Sequence, residues 1–124
     1  MKKKFRILCV DDSRAVRAYM KDCVNEVAET FEVATNGQEA IERLKVNADF
    51  DIIFMDWEMP VKDGATSVKE IVHSGIQIPI VMVTTKNDPK DIEVMLDSGA
   101  VDYVMKPFTA DIILDKINNI LGSV

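Results

Sequence analysis

The sequence is poor in soft metal ligands. It has two cysteines and one histidine in 124 residues. Neither Cys9 nor Cys23 has CxxC or other metal-ligand spacing, and both fall among apolar residues. Each reads as a core side chain and, in a reducing compartment, as a free thiol. His73 falls near the end of a helical pattern and reads as a surface residue, neither a phosphohistidine nor a ligand. Positive charge is short as well. The formal net charge is -6 and the sequence pI about 4.7, the wrong balance for a nucleic-acid surface. The one basic run, Met1-Lys2-Lys3-Lys4-Phe5-Arg6, reads as a solvated tail leading into a first strand. No run approaches the roughly 20 apolar residues that span a bilayer. Ile7-Leu8-Cys9-Val10 is too short for a secretory h-region, so a cytoplasmic protein without a membrane partner is expected. Repeats, low-complexity stretches and linkers are absent too.

What is present is ordinary globular material, 48% hydrophobic and 29% charged, enough for one buried core and not two. Short apolar runs alternate with segments of helical period. The runs are Phe5–Val10, Phe31–Ala34, Asp51–Met55, Pro79–Val83 and Val101–Val104. They are rich in branched or aromatic residues and lack clear alternation, as strands covered on both faces do.

Five helical patterns separate and follow them. Val16, Met20, Cys23 and Val27 repeat at helical spacing behind a capping Ser13. Asn36 with Glu39 has capping-box spacing, ahead of Ala40, Ile41 and Leu44. Asp63-Gly64 precedes Val68, Ile71 and Val72. Asp88-Pro89 opens a fourth helix that ends at Ser98-Gly99. A fifth starts near Thr109 and carries Ile113, Ile117, Ile120 and Leu121 on one face. The methionines Met20, Met55, Met82, Met95 and Met105 fit core patterns as gap-fillers.

This alternation predicts an α/β fold: a five-stranded parallel sheet with five helices on both faces. Right-handed crossovers leave few topologies, of which the commonest is the flavodoxin-like strand order 2-1-3-4-5. Such sheets bind ligands beyond the carboxyl ends of the strands, at the switch between strands 1 and 3. Strand 1 ends in Asp11-Asp12, strand 3 in Asp56 and strand 4 in Thr84, while Lys106-Pro107 follows strand 5. Three carboxylates, a hydroxyl and an ammonium thus converge from four strands. Singly, each is unremarkable: a strand-end Asp is most often a cap or turn residue, and Asp12 or Ser13 could serve only as a cap. Jointly they describe a site. Three close carboxylates repel unless protonated or met by a cation. Oxygen-only ligands point to Mg²⁺, which keeps waters and takes carboxylates together with phosphate oxygens. One carboxylate can then act as nucleophile and form an aspartyl-phosphate, with Lys106 and Thr84 holding phosphoryl oxygens.

The ordered set resembles a response-regulator receiver domain (CheY-like) over the whole chain, 1–124. It comprises Asp11-Asp12, Asp56-Trp57-Glu58-Met59-Pro60 with Asp63-Gly64, Thr84, Tyr103 and Lys106-Pro107. The resemblance implies roles. Asp56 would be the phospho-acceptor, Asp12 the direct metal ligand, Asp11 its companion acting through water, and the Glu58 carbonyl the third protein ligand. Thr84 would be the switch hydroxyl, Lys106 the phosphate-binding lysine and Tyr103 the aromatic switch. A cis peptide is implied at Lys106-Pro107, where base rates alone give about 5%. The implied function is signalling in a two-component system, not enzymatic turnover beyond self-phosphorylation and autodephosphorylation. A histidine kinase donates the phosphoryl group, and a phosphatase can remove it. The face of helix 4, strand 5 and helix 5 then changes for a downstream protein target. Lys90, Ile92, Met95, Tyr103, Thr109 and Ile113 are candidates to be read there. A chemotaxis regulator of a flagellar motor switch is the first choice. A phosphorelay shuttle or non-chemotaxis regulator is the runner-up.

Two departures stand out. Glu58 and Lys86 follow Asp56 and Thr84 by two residues, at positions that border the path of attacking water in this family. As an ion pair they would cover an acyl phosphate; otherwise they are two solvated charges. Thr85 is larger than the small residue usual there and would hinder small phosphodonors. Trp57, beside the site and partly exposed, should report on it by fluorescence. Three rivals are weighed. A haloacid-dehalogenase-type phosphatase has its nucleophile after the first strand. A flavodoxin-like nucleotide binder would be repelled by Asp11-Asp12. A degenerate docking receiver would lack a site residue.

Overall fold

A computed structural model describes residues 4–122. Strands and helices alternate throughout: β1 Phe5–Val10, α1 Arg14–Val24, β2 Ala28–Ala34, α2 Gly37–Val46, β3 Ile52–Asp56, α3 Gly64–His73, β4 Ile80–Thr84, α4 Pro89–Asp97, β5 Asp102–Met105 and α5 Ala110–Leu121. The strands form one parallel sheet in the order β2-β1-β3-β4-β5, as the alternation predicts. Every helix begins on a side-chain cap. Ser13, Asn36, Asp63 and Thr109 accept from the amide three residues on, and Asp88 from the amide two on. Pro89 follows at the first helical position, where its missing N–H is no loss. The capping box at Asn36 is not reciprocal, because the Glu39 carboxylate takes the Thr35 hydroxyl instead.

Two cores sandwich the sheet. Ile7, Cys9, Phe54, Val81 and Val104 face α1 and α5, packing with Met20, Ile113 and Ile117. Leu8, Val10, Ile53, Met55 and Met82 face the other way, with Leu44, Val68, Ile71 and Met95. The central strands β3 and β4 are buried at all five positions, which is why their sequences do not alternate. Cys9 and Cys23 are buried and free, as expected of core thiols.

Several expectations shift. β3 and β4 each run one residue past their apolar runs, because Asp56 and Thr84 still pair in the ladder, Asp56 opposite Val83 and Thr84 opposite Met105. β2 starts earlier than its run, since Thr30 pairs with Arg6 despite being exposed. Val27 lies in the turn after α1, still buried, and Val72 is exposed rather than core. Met105 is only half-buried. Met95 and Ile113 are fully buried, so they support the α4–β5–α5 face from beneath and are not read on it; Lys90 and Thr109 are exposed, and Ile92 and Tyr103 half-buried. His73 is at the surface, as expected. The basic run is not all solvated tail. Its first three residues lie outside the described residues, but Arg6 is held in β1 by Asp49 and Asp51.

Candidate functional site

The carboxyl ends of β1, β3 and β4 meet at one place because the ladders keep them in register. Val10 pairs with Met55, and Asp56 with Val83. The pairing continues one step past Asp56, where the Trp57 amide donates to the Val83 carbonyl at 3.0 Å. Gly64 then lets the start of α3 close over this exit. A β-carbon there would stand 2.7 Å from the Asp56 carbonyl oxygen and 2.9 Å from the Trp57 Cα. The Gly64 amide donates to the Trp57 carbonyl at 3.0 Å, tying the loop back to its strand.

Asp11, Asp12 and Asp56 each bring a carboxylate oxygen within 4.8 Å of the others. Asp11 and Asp56 are buried and Asp12 is exposed. Asp11 is fixed from two sides: the Ser13 amide donates to its Oδ1 at 2.8 Å, and Lys106 Nζ to its Oδ2 at 3.0 Å. Lys106 also lies 3.3 Å from Asp56 Oδ1, and the Glu58 amide donates to that oxygen at 3.4 Å. The Lys106-Pro107 bond is cis, as the family resemblance implies. The Lys106 amide donates to the Thr84 carbonyl at 2.7 Å, which seats the lysine against β4. The buried Thr84 hydroxyl accepts from the Lys86 amide at 2.9 Å. Asp56, Glu58, Thr84, Thr85 and Lys106 line a cleft of about 190 Å³.

The electrostatics are unbalanced. One ammonium faces three carboxylates. Burial pushes the Asp56 carboxyl up to about 6, and the Asp11 charge adds to this against the pull of Lys106. Lys106 loses solvation by burial, but its hydrogen bond to Asp11 and the two carboxylate charges hold it above the usual lysine range. A cluster of hard oxygen donors, short of positive charge, can bind a divalent metal. Asp11, Asp12 and Asp56 are the side chains within reach.

Of the residues singled out from sequence, Asp11, Asp12, Asp56, Thr84 and Lys106 come together around this cleft, with Glu58 on its rim. Tyr103 is elsewhere, on the edge strand and paired with Met82. Glu58 and Lys86 do meet, at 3.5 Å, with side chains 62% and 43% exposed. Two features escaped the sequence reading. Arg17 Nη1 donates to the Asp11 carbonyl at 2.8 Å, from the second turn of α1. An apolar groove of about 460 Å³ runs beside the cleft, sharing Thr85 and Lys106 with it and continuing along Ala15, Val16, Tyr19 and Phe108. The Tyr19 and Phe108 rings pack at 5.4 Å, a pairing that only the fold creates.

Comparison with known proteins agrees with this geometry. The model of the response regulator receiver domain family matches residues 7–118. Chemotaxis protein CheY1 of Helicobacter pylori is 33% identical over 121 residues, 95% of this chain and 98% of that protein. Chemotaxis protein CheY of Bacillus subtilis is 38% identical over 120 residues, 94% and 98% of the two chains. The crystal structure of a two-component response regulator from Clostridium difficile superposes with a TM-score of 0.88 at 30% identity, covering 95% of this chain and 96% of that one. The chain belongs to the response regulator receiver domain family, whose members serve as signalling modules of two-component systems.

Proposed function

We infer that this protein is a phospho-accepting response regulator in which Asp56 takes a phosphoryl group from a histidine kinase, in the cytoplasm. The observation that carries the reading is Lys106 Nζ between Asp11 and Asp56, at 3.0 and 3.3 Å, in a cluster still over-supplied with carboxylate. An Asp56 oxygen forms the new P–O bond as the P–N bond of the donor phosphohistidine breaks, the electron pair leaving with the imidazole nitrogen. Asp12 would hold Mg²⁺ directly, Asp11 through water, and Asp56 and the Glu58 carbonyl complete the protein's ligands. When bound, the metal neutralises charge on the phosphoryl oxygens. Lys106 and the Thr84 hydroxyl take the remaining oxygens. The Thr84 hydroxyl would then turn toward the phosphoryl group, and the loop after β4 would follow it, because the Lys86 amide is bonded to that hydroxyl. Tyr103 is read as the aromatic residue that moves inward when Thr84 does.

The output we favour is a chemotaxis-type target such as a flagellar motor switch. The named chemotaxis proteins support it, at 33% and 38% identity across nearly their whole lengths. A phosphorelay shuttle would use the same site and would differ in returning the group to a second histidine. The test is Trp57 fluorescence, Trp57 being half-buried next to Asp56. Mg²⁺ with beryllofluoride, a phosphoryl mimic, should change it in the wild type and not in Asp56→Asn. No change in either protein, together with no Mg²⁺ binding by titration, would leave only a docking role.

A further inference from the structure

Among the described residues the sheet ends on β5, which pairs with β4 alone. Side chains alternate across it. Val104 packs into the core facing α1 and α5, and Tyr103 against the core on the opposite face. Asp102, two residues before Val104, therefore faces α5. Its carboxylate makes two bonds there. Oδ1 accepts from the Tyr103 backbone amide at 2.8 Å, and Oδ2 accepts from Lys116 Nζ of α5 at 2.9 Å. The same Lys116 Nζ stands 6.0 Å from the centroid of the Tyr103 ring. One ammonium thus reaches around the sheet edge from the α5 layer to the aromatic face on the α4 layer. The two partners are 27% and 31% exposed, so the cation is only partly hydrated.

We propose that Lys116, anchored on Asp102, is a positioning residue that holds the Tyr103 ring at the sheet edge in the unphosphorylated protein. This rests on the reading of Tyr103 as the moving aromatic. The latch sets the resting population of the ring, and activation works against it. Removing it shifts the ring toward its inward place without any ligand, and the activated state is then reached at lower ligand concentration.

The chain has two tyrosines, so 3-fluorotyrosine labelling gives two ¹⁹F signals, with Tyr19→Phe identifying that of Tyr103. In ligand-free Lys116→Met and Asp102→Asn, the Tyr103 signal is expected to move toward its position in the beryllofluoride-loaded wild type. Half-saturating beryllofluoride should fall roughly two- to five-fold, the factor a cation over an exposed aromatic face supplies. Lys116→Arg keeps a cation and should restore both readouts toward wild type. An unmoved ligand-free signal in both variants overturns the latch, and so does Lys116→Arg behaving like Lys116→Met. A wild-type Tyr103 signal that ignores beryllofluoride, while Trp57 responds, would instead overturn the switch reading. The latch rests on that reading and would fall with it, whereas a wild-type signal that responds while both variants stay unmoved overturns the latch alone.

Discussion

The two ends of β3 carry aspartates in opposite electrostatic circumstances. Asp51, at the amino end, is met by a dedicated partner. The Arg6 backbone amide donates to its Oδ2 at 2.7 Å, Arg6 Nε to the same oxygen at 3.3 Å, and Nη2 to Oδ1 at 3.1 Å. Arg6 also reaches Asp49. Burial alone would push the Asp51 carboxyl up, but the hydrogen bonds from Arg6 hold it below the usual carboxylate range. Asp56, at the carboxyl end, shares one lysine with Asp11, lies close to Asp12 as well, and is pushed up to about 6. A charge matched by its own counter-ion holds the fold together. A charge left in surplus can bind a cation, which is the circumstance the proposed function of Asp56 requires.

The largest effect that would break this contrast comes from Asp56→Asn. Phosphoryl uptake should vanish, since the amide offers no nucleophilic carboxylate oxygen. Stability without Mg²⁺ should rise, by on the order of 1–3 kcal/mol at pH 7.5 in urea unfolding, because a carboxyl raised to about 6 is disfavoured as the anion. The sign follows from linkage. The folded protein binds this proton more tightly than the unfolded chain, so the wild type gains stability as pH falls through about 6 toward the ordinary aspartate value of 3.8. The Asn variant should lack that gain. A variant no more stable than the wild type would mean that Lys106 already balances the cluster.

Lys106→Met sharpens the same point from the other side. The ammonium competes with any divalent cation for Asp11 and Asp56, at 3.0 and 3.3 Å. Without it, Mg²⁺ should bind about tenfold tighter by calorimetric titration, while the beryllofluoride response of Trp57 is lost. Weaker Mg²⁺ binding would show that the lysine's role is to shape the cluster and not to offset its charge. At the amino end the expectation reverses. Asp51→Asn should destabilise by about 1 kcal/mol, a modest figure because both partners are partly exposed, and leave Mg²⁺ binding unchanged. Asp51 is held below its ordinary range, so its contribution is present above the unfolded value and lost as pH falls through the folded one. Asp51 and Asp56 therefore give opposite slopes of stability with pH in the acid range.

That difference bears on what the sequence can reveal. The strand order was legible because five apolar runs alternate with five capped helical patterns. The site was legible because polar residues at the ends of buried strands have nowhere else to go. A basic run looks solvated, so the sequence carries no sign that Arg6, at the junction of tail and first strand, is paired with Asp49 and Asp51 far along the chain. The Asp102–Lys116 pair and the groove under Tyr19 and Phe108 were invisible for the same reason. Helical period also cannot separate a buried residue from one at the rim of the same stripe, so Val72 fits the core pattern in sequence and is exposed in the fold. By sequence position Met95 and Ile113 fit both the core pattern and the partner-facing surface, and only packing shows them turned inward.

The smallest effect tests whether the surplus charge at the carboxyl end is shielded. Glu58, on the rim of the cleft, meets Lys86 at 3.5 Å, the two coming from the loops after β3 and β4. With side chains 62% and 43% exposed, the pair adds little stability, so Glu58→Gln or Lys86→Ala should change unfolding free energy by less than about 0.5 kcal/mol. Access is a separate matter. Water that hydrolyses an acyl phosphate on Asp56 must come in line with the departing carboxylate oxygen, and a pair joining the two loops would narrow that approach. Breaking it should shorten the phosphoryl lifetime by a factor of about two to three, followed as decay of the labelled protein in Mg²⁺. The wild-type lifetime should also fall as salt rises, since salt screens an exposed pair, whereas the variants should be indifferent to salt. Equal lifetimes in all three proteins at low salt would reduce the pair to two solvated charges that happen to be near each other.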